Sequence, residues 1–246
     1  NFNLIFTITP KAGLLGIVGA YFNRTPFRIH IFTGQVWSNK NSLYKIFLKF
    51  FDKIIVKFST DILCDSVSQK KFLISNSFTK NIKVIGNGSI CGVNTNYFKP
   101  NIYQKNKLKK IFSINKNETT FIYVGRINED KGIYNLIQVQ KLLLRSNYKV
   151  KFFLIGTIED SNLKSEIERC KNLFHINHTN KIKKFYQLGD IYITSSFREG
   201  FGVSVAQAMA CSLPVIGTNI YGYKDLLKNK KNALIYKPND IRKLYK

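Results

Sequence analysis

Acidic residues are scarce in this chain: 14 Asp and Glu stand against 39 Lys and Arg in 246 residues, a formal net charge of +25. Long apolar runs are also missing. Leu14 to Phe22 is apolar, but Lys11 and Arg24 bracket it, and the stretch falls short of the roughly 20 residues a bilayer-spanning helix needs. Cysteine is sparse as well. Cys64, Cys91, Cys170 and Cys211 show no C-x-x-C spacing, so no disulfide framework is implied, and Cys64 and Cys211, in apolar surroundings, are expected as buried reduced thiols. His175 and His178 have H-x-x-H spacing without a third ligand in sight, which reads as structural rather than metal-binding. No internal repeat is evident. The chain opens at Asn1 rather than Met, inside a strand-like run, and is expected to be a fragment in which a signal peptide can be neither found nor excluded.

The basic excess is uneven. Residues 1–117 carry +15 and residues 118–246 carry +10. Two accounts stay open: a polyanionic partner (nucleic acid, anionic membrane or phosphorylated substrate) or compositional drift in a sequence rich in Asn, Lys and Ile. Apolar residues make up 44%, enough for a packed core. No aromatic-plus-basic RNA motif accompanies the charge.

Apolar runs alternate between strand-like and helix-like along the whole chain. Leu4–Thr9, Phe27–Thr33, Asp61–Cys64 and Lys83–Ile85 read as strands, with helices over Ala12–Tyr21 and Lys40–Phe58. Residues 101–117 are polar and basic and read as a linker. Alternation then resumes: strands over Thr119–Val124, Val150–Ile155, Leu173–Ile176 and Ala233–Tyr236, helices over Lys131–Arg145, Ser161–Lys171 and Lys181–Leu188. The pattern predicts two α/β domains with parallel sheets, 1–100 and 118–246.

The stretch Ser195–Gly222 is the most informative. A buried strand, Ile191–Thr194, leads into a loop with Gly200 and Gly202. A helix over Val203–Cys211 follows, then a strand beginning at Pro214. A glycine loop feeding a helix N-terminus presents free N–H groups and suits a phosphate, while Glu199 can accept hydrogen bonds from sugar hydroxyls. An ordinary strand–helix turn would look the same. Arg126 follows Val124-Gly125 at a predicted strand end, and Lys131 sits at the next helix start. Together they suit a diphosphate, or else form a solvated loop in a lysine-rich protein. Lys45, Lys49, Lys53 and Lys57 recur every fourth residue among Phe47, Phe50, Phe51, Ile54 and Ile55. That is a basic amphipathic helix: either a core helix with a solvated lysine stripe or a contact with an anionic membrane.

EGFG followed by QAMACSLPVIGT resembles the signature of the retaining glycosyltransferases of family 4, which have the GT-B fold. TPKAGLLG (9–16), RIHIFTGQVW (28–37), IGNGSICGVNTNYFKP (85–100) and YVGRINEDKGI (123–133) extend the resemblance. It implies two Rossmann-like domains, the N-terminal one incomplete, its first strand and glycine loop lacking. It also implies that the long final helix of the second domain is missing. The function implied is metal-independent, retaining transfer of a sugar from a nucleotide-sugar, UDP- or GDP-linked, to a glycan or polyprenyl-linked acceptor. No cofactor and no metal site are implied, and no D-x-D cluster occurs. Arg126 and Lys131 would bind the donor diphosphate and Glu199 the donor sugar, with Gly125, Gly200, Phe201, Gly202 and Ile176 around the donor. Gln207 stands where the family carries a second glutamate on the ribose, which implies weaker donor binding. Ile8 replaces a family histidine that faces the reaction centre, leaving His30 as the remaining histidine of that domain, with Lys11 and Gln35 on the acceptor side. The partners implied are the donor, the acceptor and an anionic membrane surface met by residues 40–58, not nucleic acid. The place implied is the cytoplasm, peripheral on the inner face of the plasma membrane. Two alternatives remain: a catalytically degenerate GT-B relative that binds without transfer, suggested by Gln207 and Ile8, and a basic nucleic-acid-binding α/β protein, suggested by the charge.

Overall fold

A computed structural model describes residues 2–40, 42–78 and 81–246. The chain divides into two compact units. One comprises Asn1–Gly92 with Arg198–Gly202 and Tyr221–Asp225; the other comprises Val93–Phe197, Val203–Ile220 and Leu226–Lys246.

The N-terminal unit holds a parallel sheet of four strands in the order β1 (Leu4–Thr7), β2 (Phe27–Phe32), β3 (Asp61–Cys64) and β4 (Ile82–Val84). Parallel neighbours need crossovers. These are α1 (Pro10–Phe22), α2 (Ser42–Phe58) and α3 (Val67–Ser75). Pro10 opens α1, where its missing N–H costs nothing. Ser66 caps α3 by accepting from the Gln69 N–H, an S-x-x-Q capping signature. The core forms where β2 and β3 meet the helices: Phe32, Ile62, Cys64, Leu73, Phe78 and Trp37 are buried together.

The second unit holds a six-stranded parallel sheet in the order β10-β9-β8-β5-β6-β7. Its strands are β5 (Thr119–Val124), β6 (Val150–Ile155), β7 (Leu173–Ile176), β8 (Ile191–Ile193), β9 (Val215–Thr218) and β10 (Ala233–Tyr236). The helices are α4 (Ile102–Ile111), α5 (Ile133–Arg145), α6 (Ser161–Glu168), α7 (Ile182–Leu188), α8 (Val203–Ala210) and α9 (Ile241–Tyr245). All six residues of β6 are buried, as expected of an internal parallel strand covered on both faces. The chain winds from β5 outward through β6 and β7, then returns to the other side of β5 with β8. The order therefore reverses between β5 and β8, and a ligand in an open α/β sheet binds outside the carboxyl ends of the strands at such a point.

The expected linker over 101–117 is instead largely helical and belongs to the second unit. Asn101 caps α4, accepting from the Gln104 N–H, and Leu108 is buried. Lys105 and Lys109 converge on Asp190 at 2.7 and 3.1 Å. Burial alone would raise the Asp190 carboxyl, but hydrogen bonds from Lys105, the Thr120 N–H and Lys109 hold it below the usual range. Polar spacing that looked like a tether is thus a helix fastened by its charges. All four cysteines are free; Cys64, Cys170 and Cys211 are buried and Cys91 is exposed.

Candidate functional site

At the switch point of the six-stranded sheet, β5 runs out into Gly125 and Arg126. A Cβ on Gly156, at the end of β6, would collide with the Gly125 carbonyl oxygen, so this approach of the two strand ends requires glycine. The Tyr123 hydroxyl donates to the Arg126 carbonyl at 2.8 Å and fixes the loop. The Arg126 guanidinium reaches Glu159 at 3.3 Å, the two side chains 56% and 39% exposed. So exposed a pair contributes roughly 0–1 kcal/mol, and Glu159 orients the fork without committing it. Asn128 donates to the same carboxylate at 2.6 Å and accepts from the Lys131 N–H at 3.1 Å, closing the turn over Glu129–Lys131.

Across the switch point, β8 continues into Thr194, Ser195 and Ser196, all buried. The Ser195 and Tyr236 hydroxyls lie 2.6 Å apart, Tyr236 donates to the Thr194 carbonyl at 3.1 Å, and Thr218 donates to the Ser196 carbonyl at 2.6 Å. The Phe197 N–H bonds to the Asp130 carbonyl at 2.9 Å, tying this loop to the turn that carries Lys131. Gln207, on α8, accepts from the Tyr186 hydroxyl at 2.9 Å. Ile176 ends β7, its carbonyl bonded by the Gly156 N–H, and His175 bonds the Gly156 carbonyl through Nε2 at 2.8 Å. Gly125, Arg126, Lys131, Ile176 and Gln207 thus all belong to this unit, and the strand ends carry Gly125, Arg126 and Ile176 together.

Glu199, Gly200, Phe201 and Gly202 fall in the N-terminal unit, against the carboxyl ends of β2 and β3. A Cβ on Gly200 would lie 2.5 Å from the Thr33 carbonyl oxygen and 2.8 Å from Asp65 Oδ2, so glycine is required for that approach. Ser66 donates to the Gly200 carbonyl at 2.8 Å, and the Phe201 ring borders Gly88. The Tyr223 hydroxyl lies 3.5 Å from Glu199 Oε1. Asp65, 8% exposed, accepts from the Ile90 N–H at 2.9 Å. Burial raises its carboxyl above the usual range despite that bond, and the Glu199 charge adds to the rise. The result is a rigid loop carrying a carboxylate able to accept from hydroxyls.

Two expected residues are enclosed. His30 lies mid-strand, 0% exposed; its Nδ1 is 2.8 Å from the Thr7 hydroxyl, and Gly13 packs directly against the ring. Burial lowers its pKa to about 4, so it is neutral and cannot meet a substrate. Gln35 is 1% exposed: its Oε1 accepts from Tyr221 at 3.1 Å and from Gln69 at 3.2 Å, so it fixes the loop after β2 rather than facing an acceptor. Lys11, at the start of α1, and Ile8 are exposed. The sequence reasoning missed Asp65, Tyr221, Tyr223 and Asp225, which accepts from the Val67 and Ser68 N–H groups at 2.7 and 3.1 Å. The S-x-x-Q spacing of Ser66 and Gln69 is a local signal that could have marked that corner. Among the described residues no three His, Cys, Asp or Glu side chains group as a metal site requires.

One unit has a parallel sheet with a cationic turn at its switch point, and the other has a parallel sheet and a glycine-flanked carboxylate loop; together they define an α/β protein of two parallel-sheet units. Residues 104–246 match the family model described as glycosyl transferases group 1, and the chain belongs to that family. The capsular polysaccharide biosynthesis glycosyltransferase CapM of Staphylococcus aureus is 32% identical over 242 residues, covering 95% of this chain and 63% of the relative. The UDP-Gal:alpha-D-GlcNAc-diphosphoundecaprenol alpha-1,3-galactosyltransferase of Escherichia coli is 25% identical over 251 residues, covering 98% and 64%. The chain therefore spans slightly less than two thirds of these relatives. The crystal structure of Anabaena Alr3699/HepE in complex with UDP and glucose superposes with a TM-score of 0.80 at 20% identity, covering 99% of this chain and 66% of that one. That likeness establishes the fold, the two parallel α/β sheets of GT-B proteins.

Proposed function

We propose that the protein containing this chain is a retaining, metal-independent glycosyltransferase of family 4. It moves a sugar from a UDP-sugar to a lipid-linked glycan precursor. The observation that carries this reading is the cationic turn, Arg126 and Lys131, at the switch point between β5 and β8. Preorganised cations there offset the charge of a departing diphosphate, so no bridging metal is required, and the sequence offers no D-x-D pair to hold one. Glu199 holds the donor sugar by its hydroxyls. Gln207 takes the position of the family's second glutamate and can still accept one hydrogen bond from the ribose. The relatives supply the substrate class: one is named for a diphosphoundecaprenol-linked acceptor, and a structural neighbour was crystallised with UDP and glucose. The expected result is transfer by the full-length protein from UDP-galactose, UDP-glucose or UDP-N-acetylglucosamine to a prenyl diphosphate-linked sugar, the anomeric configuration kept and EDTA without effect. Inversion, or loss of transfer on chelation, overturns the mechanism.

The acceptor lies in a membrane, and α2 is the contact. Leu43, Ile46, Phe47 and Phe50 are each more than half exposed on it. Lys53 and Lys57 are exposed beside them, while Lys45 and Lys49 are half-buried, dividing the expected lysine stripe in two. Among the described residues no helix is long and apolar enough to cross a membrane; the contact proposed for α2 is a peripheral one, on the cytoplasmic side where nucleotide-sugars are found. Replacing Lys53 and Lys57 with Gln should lower binding to phosphatidylglycerol vesicles, each lysine contributing about 1 kcal/mol. Unchanged co-sedimentation would return α2 to an ordinary solvated helix.

A further inference from the structure

The N-terminal unit contains a cavity of about 280 Å³ between α1, the turn after β2 and α2. Leu14, Val36, Trp37, Leu48 and Phe51 line it, with Lys11 and Asp52 as its charged side chains. We propose that this cavity receives the first isoprene units of a prenyl phosphate, the lipid end of the acceptor. The inference rests on the lipid-linked reading above and names the site that would recognise the lipid.

Size, polarity and charge each bear on the occupant. An apolar cavity of roughly 150 Å³ takes up benzene, so this one has room for about two five-carbon units. A sugar would need several polar partners for its hydroxyls. The cavity offers two polar side chains, and the Asp52 carboxylate is already engaged by Trp37 Nε1 at 2.7 Å. Burial pushes that carboxyl up to about 6 despite the indole hydrogen bond, as apolar surroundings should. The cavity is also joined to an exposed apolar surface. Phe51 meets Phe47 edge-on, the ring centroids 4.8 Å apart, and Phe50 at 5.8 Å, and both partners are more than half exposed. Phe51 thus connects the cavity lining to the exposed apolar residues of α2. Cations gather at the same place. Lys11 lines the cavity, and the ammonium groups of Lys45 and Lys49 lie 6.0 and 5.5 Å from the centre of the Trp37 ring. An apolar slot lined by one lysine and one hydrogen-bonded carboxylate, with two further lysines close to its Trp37 wall, complements a hydrocarbon ending in phosphate.

The full-length protein is titrated with farnesyl diphosphate, farnesol, inorganic pyrophosphate and dihexanoyl phosphatidylglycerol, all below micelle-forming concentrations. Trp37, the only tryptophan of these 246 residues, reports through its emission, with Trp37→Phe used to assign the signal. A saturable change is expected with farnesyl diphosphate, a weaker one with farnesol, and none with pyrophosphate or the phosphatidylglycerol. Lys11→Gln should weaken farnesyl diphosphate by roughly fivefold, the effect of one near-surface charge pair, and leave farnesol as before. Intermolecular NOEs from farnesyl methyl protons to the Leu14, Val36 and Leu48 methyls need no variant and are expected. An equal response to pyrophosphate or phosphatidylglycerol, or farnesyl binding without those NOEs, overturns the proposal. Sugar transfer to a prenyl-linked acceptor without the NOEs refutes the cavity and leaves the transferase reading standing. NOEs without transfer to any such acceptor support the cavity and refute that reading.

Discussion

Arg126→Ala is expected to weaken UDP binding by tens-fold or more, and Lys131→Ala by less. Arg126 stands where the strand order reverses, its backbone fixed by the Tyr123 hydroxyl at 2.8 Å. The loop should therefore survive truncation of the side chain. The guanidinium is a planar fork that can bind a diphosphate through two parallel hydrogen bonds, whereas an ammonium is a point charge. Truncating one partner of a desolvated, hydrogen-bonded charge pair typically costs roughly 2–5 kcal/mol. The fork rests on Glu159 at 3.3 Å, in a pair exposed enough to exchange for a stronger anion. Glu159→Gln should accordingly leave UDP affinity unchanged or slightly improved, which separates loss of the cation from general damage to the turn. Calorimetry of the full-length protein with UDP and GDP, with and without EDTA, checks all of this. If the double alanine variant binds like the parent, the diphosphate lies elsewhere; if chelation abolishes binding, a metal supplies the charge assigned here to Arg126 and Lys131.

The contrast between what the residues disclosed and what they concealed follows interaction range. Strands β5 and β6 stand at the residues expected from their apolar runs, because a strand buried on both faces writes its limits in composition; the edge strands β7 and β10 also stand at the expected residues, although they are only partly buried. The glycine-flanked loops at 125 and 200–202 were legible for a similar reason, since backbone approach leaves a local mark. Helix α4 was not. Its lysines look solvated until Asp190, some eighty positions later, is placed beside them. Asp65 and Asp225 were likewise invisible: one meets Gly200 and the other caps α3, and neither pairing has a short-range signal. His30 shows a different failure. Residues 30 to 32 of β2 are all buried, so position in the strand could not tell a histidine near the ligand-bearing end from one sealed under α1. Gln35 was read as an acceptor-side residue, but its burial depends on Tyr221, far along the chain.

Two buried groups in the N-terminal unit should respond to pH in opposite directions. His30 is 0% and Asp52 5% exposed. Burial lowers His30 from 6.5 to about 4. The unfolded chain then binds this proton first, so His30's stabilising contribution is complete above 6.5 and is lost as pH falls toward 4. Burial raises Asp52 from 3.8 to about 6, partly countered by the Trp37 hydrogen bond. Here the native state binds the proton first, so stability is greatest below 3.8 and is lost as pH rises through 6. Each shift corresponds to about 3 kcal/mol at most. Within the window from 4 to 6 the two largely offset each other, and the parent should show little net slope from this pair. Thr7, Gly13 and Phe32 face His30, none of them charged; Asp52 shares its cavity with Lys11. Asp52→Asn keeps an acceptor for the indole and should exceed the parent in stability at pH 7 by up to about 3 kcal/mol, the advantage vanishing near pH 4. His30→Gln should do the reverse, its stability relative to the parent rising by a similar amount as pH falls from 7 to 4. Urea unfolding followed through Trp37 emission, which reports on this unit, measures both differences. Variant-minus-parent differences that stay flat from pH 4 to 7 would show that neither group is desolvated as the fold requires.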